Sequence, residues 1–262
     1  MKHLLTSLKW TLGLLLLAST MSPLFALGTF SEGQVFLTIR KFESSGIIFE
    51  SWEGSGEITT YAKDENCNRD ENLCYTPKKE MISFSVRPET NGGKLAAELQ
   101  KSINKEVLVS FRVHRVEALA LGTDFEITGV LDRVSNMPAD FPAKKATKKT
   151  GAKRNFSVHG RILSLEYQGT AVGTYEGLYL DAQKVKVHPF SITDAAMAAH
   201  AYRLMALSRD YHLGVSQAFV TGLRKSDYDV FELNLNEPAG AQDVQPQKGE
   251  AEKPASTVEP VQ

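Results

Sequence analysis

The chain of 262 residues is short of the residue patterns that catalysis and metal binding require. Cysteine is nearly absent: Cys67 and Cys74 are the only two. The six histidines (His3, His114, His159, His188, His200 and His212) are scattered without ligand spacing. A metal site assembled from soft ligands needs three or four of them at short intervals, so no metal is expected. There is no Gly-x-Ser-x-Gly elbow, and Ser208, Asp210 and His212, the nearest approach to a triad, are too close together in sequence for relay geometry. No glycine-rich phosphate loop occurs, so no nucleotide cofactor is indicated. Charge of one sign is also lacking. With 30 basic and 31 acidic residues the net charge is -1, and nothing in it demands a nucleic-acid or membrane-surface partner. Long hydrophobic runs are missing too: Leu12 to Ala18 is the longest near the N-terminus, well short of the roughly 20 residues that span a bilayer.

That short run has a purpose of its own. Lys2 and Lys9 form a basic start, Leu12 to Ala18 an apolar core, and Pro23 breaks the chain before Leu24-Phe25-Ala26-Leu27-Gly28. This is the pattern of a cleaved secretory signal peptide over residues 1–28. Cleavage after Ala26 or Gly28 fits, and Gly28 is preferred because it sets Ala26 at the third position upstream. Removing Lys2 and Lys9 leaves 28 basic against 31 acidic residues, a net charge of -3. A periplasmic or secreted protein is expected. No cysteine near the cleavage point suits a lipoprotein, and no transmembrane segment is expected once the signal is removed. In an oxidising compartment Cys67 and Cys74 are expected to form one disulfide, restraining a polar acidic loop.

The chain then repeats itself. Glu43-Ser44-Ser45-Gly46 leading to Ser51-Trp52-Glu53-Gly54 recurs 123 positions on, as Glu166-Tyr167-Gln168-Gly169 leading to Thr174-Tyr175-Glu176-Gly177. Each copy shows the same order of periodicities. In the first, Val35, Leu37 and Ile39 alternate with Thr38 and Arg40 as a strand. Glu43 to Gly46 is expected to turn, Ile47 to Trp52 to form a second strand, and Gly54-Ser55-Gly56 to mark a bulge or bend. Met81 to Val86 is a third strand. Leu95, Leu99 and Ile103 give a helix between Lys94 and Asn104 a narrow apolar stripe. Val107, Val109, Phe111 and Val113 share one face of a fourth strand, and Asp124 to Leu131 is a fifth. In the second copy the strands are 156–167, 170–180, 185–192, 212–220 and 227–235. Thr193 or Asp194 caps a helix carrying Met197, Ala201 and Leu204.

Further landmarks pair Phe84-Ser85-Val86 with Phe190-Ser191-Ile192, Val109-Ser110 with Val215-Ser216, and Thr123-Asp124-Phe125 with Ser226-Asp227-Tyr228. The offset falls from 123 to 106 and then to 103, so the first copy has 17 extra residues where the cysteines lie and three more in its last hairpin. The expected organisation is signal peptide 1–28, module 29–134, basic linker 135–154, module 155–236 and disordered tail 237–262. The linker lysines between Lys144 and Arg154 are expected to be solvated.

Three strands, a helix and two strands resemble the connectivity of the oligonucleotide/oligosaccharide-binding (OB) fold. The resemblance implies a mainly β (α+β) protein of two tandem small barrels. The stretch from Lys41-Phe42-Glu43 through Ser51-Trp52-Glu53-Gly54 also resembles the opening of an uncharacterised bacterial and phage family, Lys-Phe-Ser-x-x-Gly followed by Ser/Thr-Trp/Tyr-Glu-Gly. Glu43 stands where that family has serine. The family implies a small β domain and no activity.

The repeated aromatic–carboxylate pairs, Trp52-Glu53 and Tyr175-Glu176, are the candidate ligand site, since a ring beside a carboxylate suits a sugar or a cation. The competing role is architectural, with the ring filling a barrel end and the glutamate tying a loop. The function expected is a non-catalytic binding protein of the cell envelope whose partner is a protein or a glycan. The alternatives are an envelope hydrolase using acidic residues near Trp52 and Tyr175, and a polyanion binder using the OB faces, the basic linker and Arg112, His114 and Arg115.

Overall fold

A computed structural model describes residues 29–45, 51–63, 75–115, 121–133, 144–145, 154–168, 173–207, 210–217 and 225–235. The expected signal peptide (1–28), the expected disulfide of Cys67 and Cys74, and the expected tail (237–262) lie outside them.

The first half contains β1 (Thr29–Ser45), β2 (Ser51–Lys63), β3 (Tyr75–Val86), α1 (Lys94–Lys101), β4 (Glu106–His114) and β5 (Phe125–Leu131). After the two-residue β6 (Lys144–Lys145), the second half repeats the order: β7 (Arg154–Gln168), β8 (Thr174–Asp181), β9 (Lys186–Ile192), α2 (Ala195–Met205), β10 (Tyr211–Gln217) and β11 (Tyr228–Asn234). In the first half β1 pairs with β2, β2 with β3, β3 with β5, β5 with β4, and β4 again with β1. The circuit is closed, and antiparallel except at β3–β5. The second half closes the same circuit through β7, β8, β9, β11 and β10. The fold is mainly β with two α-helices and the OB-like strand order.

The two circuits are joined. β1 pairs antiparallel with β7 from Ser31 opposite Gln168 to Val35 opposite Ser164, which makes all eleven strands one sheet. The strands approach so closely at Gly33 that a Cβ there would lie 2.2 Å from the Leu165 carbonyl oxygen.

Side-chain parity explains how the joint is sealed. Val35, Leu37 and Ile39 face the first core with Phe84, Leu99 and Ile127. Phe36 points the other way, in register with Leu108, which is in register with Leu131. These three belong to or pack against the second core, which also holds Met197, Ala201 and Leu204 of α2. Leu108 is wholly buried, so β4 is covered on both faces.

The structure corrects three expectations. Glu43 to Ser45 do not turn: they continue β1, with Glu43 opposite Glu53. The bulge lies not in Gly54-Ser55-Gly56 but in the strand facing it, between Ile39 and Lys41. β2 keeps an unbroken register with β3, and Gly56 makes room for the Leu37 side chain, which a Cβ there would approach to 2.6 Å. The equivalent bulge falls between Ile162 and Ser164.

The repeat register is also different in β4. Val109 lies opposite Val35 and Leu213 opposite Val158, so Val109 matches Leu213 rather than Val215. A two-residue slip leaves every side chain on the same face, which is why Val-Ser matched Val-Ser convincingly in sequence. Part of the expected linker pairs with β11, Lys144 opposite Leu233 and Lys145 opposite Glu232, while the Lys145 side chain stays largely exposed, its Nζ 3.3 Å from the Glu232 carboxylate.

Candidate functional site

The repeated carboxylates are each held by hydroxyl groups. Glu53 Oε1 accepts from Ser51 Oγ (2.7 Å) and from the Gly122 amide (3.1 Å). Its Oε2 accepts from Ser85 Oγ at 2.7 Å. Ser85 Oγ in turn accepts from the Thr123 amide at 3.0 Å. One side chain on β2 therefore ties β3 to the residues that lead into β5.

The second copy is built alike. Glu176 accepts from Thr174 Oγ1 (2.6 Å) and Ser191 Oγ (2.7 Å). Ser226 takes the place of Thr123, donating to the Pro189 carbonyl at 2.9 Å and accepting from the Tyr228 amide at 3.1 Å. The glycines that follow are structural as well. A Cβ on Gly54 would lie 2.3 Å from the Phe84 ring, and one on Gly177 would lie 2.4 Å from the Phe190 ring.

The aromatic members of the repeat diverge. Trp52 stacks on Phe42, ring centroids 5.3 Å apart, against the first core. Tyr175 sits 5.0 Å from Tyr167 and 6.3 Å from Tyr202. Tyr175 and Glu176, adjacent on β8, point to opposite faces of the sheet and border two different hollows at the module junction.

One hollow, of about 280 Å³, draws Val35, Ile58 and Tyr61 from the first half and Glu166, Glu176 and Phe190 from the second. Its wall is largely apolar. The other, of about 460 Å³, is a groove lined by Glu32, Gln34 and Arg112 from the first half and by Tyr167, Tyr175 and Tyr202 from the second. Neither hollow belongs to one half alone.

The charges around the groove are mutually engaged. Arg112 Nε lies 3.6 Å from Glu32 Oε2. His114 Nε2 is 2.7 Å from Glu126 Oε2, and Arg87 Nε is 2.8 Å from Glu126 Oε1, so a buried carboxylate is bracketed by two bases. Arg115 lies over the Phe30 ring at 5.6 Å. The stretch Arg112, His114, Arg115 is thus divided among three separate partners instead of presenting one basic face. Burial pushes the Tyr202 phenol up, with Tyr175, Glu32 and Glu166 adding to it, so the hydroxyl stays protonated at neutral pH. Burial also pushes the His188 imidazole down to about 4, against the pull of Asp181.

Among the described residues, no three His, Cys, Asp or Glu side chains converge as a metal would require. No described helix is long and apolar enough to cross a membrane.

Glu32, Arg112, Tyr167 and Tyr202 were not singled out together from the sequence. They lie far apart along the chain, and only the β1–β7 pairing brings them together. The one available signal was apolar residues of the wrong parity, Phe36 and Leu108, which announce a second buried face on β1 and β4.

The sequence profile of a family described as a domain of unknown function (DUF8785) matches residues 28–136 and 151–240, and the chain belongs to that family. No curated protein matches it. Among solved structures, wild-type single-stranded DNA binding protein from Thermus aquaticus is similar at 10% identity and a TM-score of 0.24, over 82% of this chain and 96% of that one. A deletion mutant of the same Thermus aquaticus protein is similar at 10% identity and a TM-score of 0.25, over 85% and 98%.

Proposed function

We propose that the protein is an exported, non-catalytic binding protein of the cell envelope, built as two tandem OB-like barrels that take their ligand where the barrels meet. The observation that carries this is the β1–β7 pairing, which creates hollows lined by both halves. The repeated carboxylates support it from the other side. Glu53 and Glu176 spend both oxygens on hydroxyl and amide donors within the fold. A general acid or base must instead reach a substrate proton. Export is inferred from the basic and apolar pattern of residues 1–28, and it provides the setting in which Cys67 and Cys74 form a disulfide.

The test uses the full chain expressed with its N-terminal segment. The protein is recovered from the envelope fraction, its N-terminus is sequenced, and it is titrated with envelope glycan fragments whose masses are measured before and after binding. A start at Thr29 and saturable binding of unaltered ligand are expected. A cytosolic protein starting at Met1 overturns export, and release of cleavage products overturns the non-catalytic assignment.

A further inference from the structure

Four side chains on the groove face lie in one row. Arg112 is in register with Glu32, Glu32 with Tyr167, and Tyr167 with Tyr175, across β4, β1, β7 and β8. Adjacent strands are about 4.8 Å apart, so the row crosses three such intervals and has a charged end and an aromatic end. Arg112 and Glu32 expose 52% and 59% of their side chains, which leaves them free to meet a ligand. Gln34, on the same face of β1 as Glu32, has a buried Oε1 with no hydrogen-bond donor among the described residues. A buried acceptor in a native structure normally has a partner, and here the side chain that carries it is among those lining the groove.

We propose that this groove binds a neutral oligosaccharide, with sugar rings lying against Tyr167 and Tyr175 and their hydroxyls held by Glu32, Arg112 and Gln34. The proposal rests on the binding function set out above and specifies its ligand. The chemistry of the row selects the class. Tyrosine offers an apolar ring face and a polar tip, which suits a sugar with an apolar face and hydroxyls at its edge. A carboxylate, a guanidinium and an amide side by side supply both acceptors and donors, which a polyhydroxylated ligand can use at once. The same row disfavours a polyanion. Phosphate recognition depends on uncompensated Lys and Arg, and Arg112, the one basic side chain among the described residues that line the groove, already faces Glu32. The volume of about 460 Å³ is within the range of small-ligand sites, about 300–1,000 Å³. The protonated Tyr202 phenol adds a donor at the groove wall.

The experiment is calorimetric titration of the full chain with a tetramer of linked N-acetylglucosamine and with a neutral glucose tetramer. An oligothymidylate at low and high salt is the polyanion arm. Arg112→Gln and Glu32→Gln test the charged end without touching a core, and Tyr167→Ala tests the aromatic end, with melting temperatures recorded for each. The expected result is saccharide binding that weakens about tenfold or more in the Arg112 or Glu32 variant, with melting unchanged. Saccharide binding indifferent to all three substitutions overturns the groove assignment but leaves the binding function standing. Absence of saccharide binding overturns it, as does binding of the oligothymidylate alone with a steep fall in salt. Cleavage of a saccharide whose binding the variants weaken sustains the groove and overturns the non-catalytic function instead.

Discussion

In the first half of the chain the bulged strand finds its extra backbone partners in the turn after α1. Asn104, at φ 64°, donates its amide to the Ile39 carbonyl at 2.7 Å, and the Ile39 amide donates to the Lys105 carbonyl at 3.3 Å. In the second half the same bulge is served by a side chain. The amide of Ile162, the residue equivalent to Ile39, donates to the wholly buried Tyr211 hydroxyl at 2.9 Å. The polar interiors differ in the same way. The first half pairs buried Glu126 with Arg87 and His114. The second buries His188, opposite Tyr179 in register, where the first has Ile82 opposite Gly56. The strand circuit, the bulge, the glycine–phenylalanine contact and the glutamate–serine tie are common to both halves. The residues that complete the backbone hydrogen bonds and fill the interior are not. Duplication has thus kept what closes the circuit, while the buried polar groups differ: Glu126 is paired in the first half, and His188 is buried without a hydrogen-bond partner among the described residues in the second.

The largest test of the common part is Phe84→Ala against Phe190→Ala. Both rings are buried and lie on the glycine of the preceding strand, so each truncation is expected to cost about 3–5 kcal/mol. Chemical denaturation of the two variants reads both. Equal losses make the contact a shared requirement, whereas a loss below about 1 kcal/mol in one half would show that half closing without it.

Acid separates the halves next. The His188 imidazole is held down to about 4 by burial, and neither ring nitrogen has a hydrogen-bond partner among the described residues. Unfolding restores its usual value near 6.5. The unfolded chain therefore binds this proton more readily than the folded one. The stability it contributes is present above about 6.5 and is lost as pH falls toward about 4, below which both states are protonated. The loss is about 3 kcal/mol. His188→Ile, copying the first half, is expected to remove it. Denaturation midpoints of wild type and variant should diverge between pH 7 and pH 4.5, and parallel midpoints would contradict the assignment.

Much of this arrangement could be read from periodicity. Val35, Leu37 and Ile39 alternate cleanly, and Leu95 and Leu99 mark the buried side of α1 as expected. The strand order therefore followed from local signals. The β1–β7 joint did not, because Phe36 and Leu108 break alternation in a way that acquires meaning only when the covering module is known. The β4 register was hidden by the equivalence of two-residue slips. The strand that bulges was not legible either, because glycine marks where a neighbour comes close as readily as where its own strand bends. At the candidate site, the tie made by Glu53 and Glu176 was partly visible in the hydroxyl two residues before each glutamate. The convergence of Tyr167, Tyr202 and Arg112 was not, since no local pattern relates residues on β7, α2 and β4.

A smaller effect tests the different service of the bulge. Tyr211→Phe removes one oxygen and leaves the Ile162 amide without its acceptor. A buried donor stripped of its partner costs about 1–3 kcal/mol. No single side-chain truncation should do the same in the first half, where the acceptor is the Lys105 carbonyl. Urea denaturation of Tyr211→Phe beside Asn104→Ala tests this, because Asn104 contributes its amide, which alanine keeps. The alanine does cost something for the left-handed φ of 64°, on the order of 1 kcal/mol. Hydrogen exchange at the bulge distinguishes the two: the Ile162 amide should lose protection in the tyrosine variant, and the Ile39 amide should keep its own in the other.

The smallest expected difference is at the helix starts. α2 opens on Asp194, whose Oδ1 accepts from the Met197 amide at 2.7 Å. α1 opens on Gly93, at φ 78°, with no side-chain cap. Asp194→Ala should therefore cost about 1 kcal/mol, and Gly93→Ala should also destabilise, for the unrelated reason that alanine resists a positive φ. Salt tells them apart. The aspartate also interacts with the positive end of the helix dipole, which salt screens, so the Asp194→Ala cost is expected to shrink in high salt while the Gly93→Ala cost stays constant. Equal salt dependence would mean that the aspartate acts through local backbone geometry alone, and the two helix starts would then be more alike than their caps suggest.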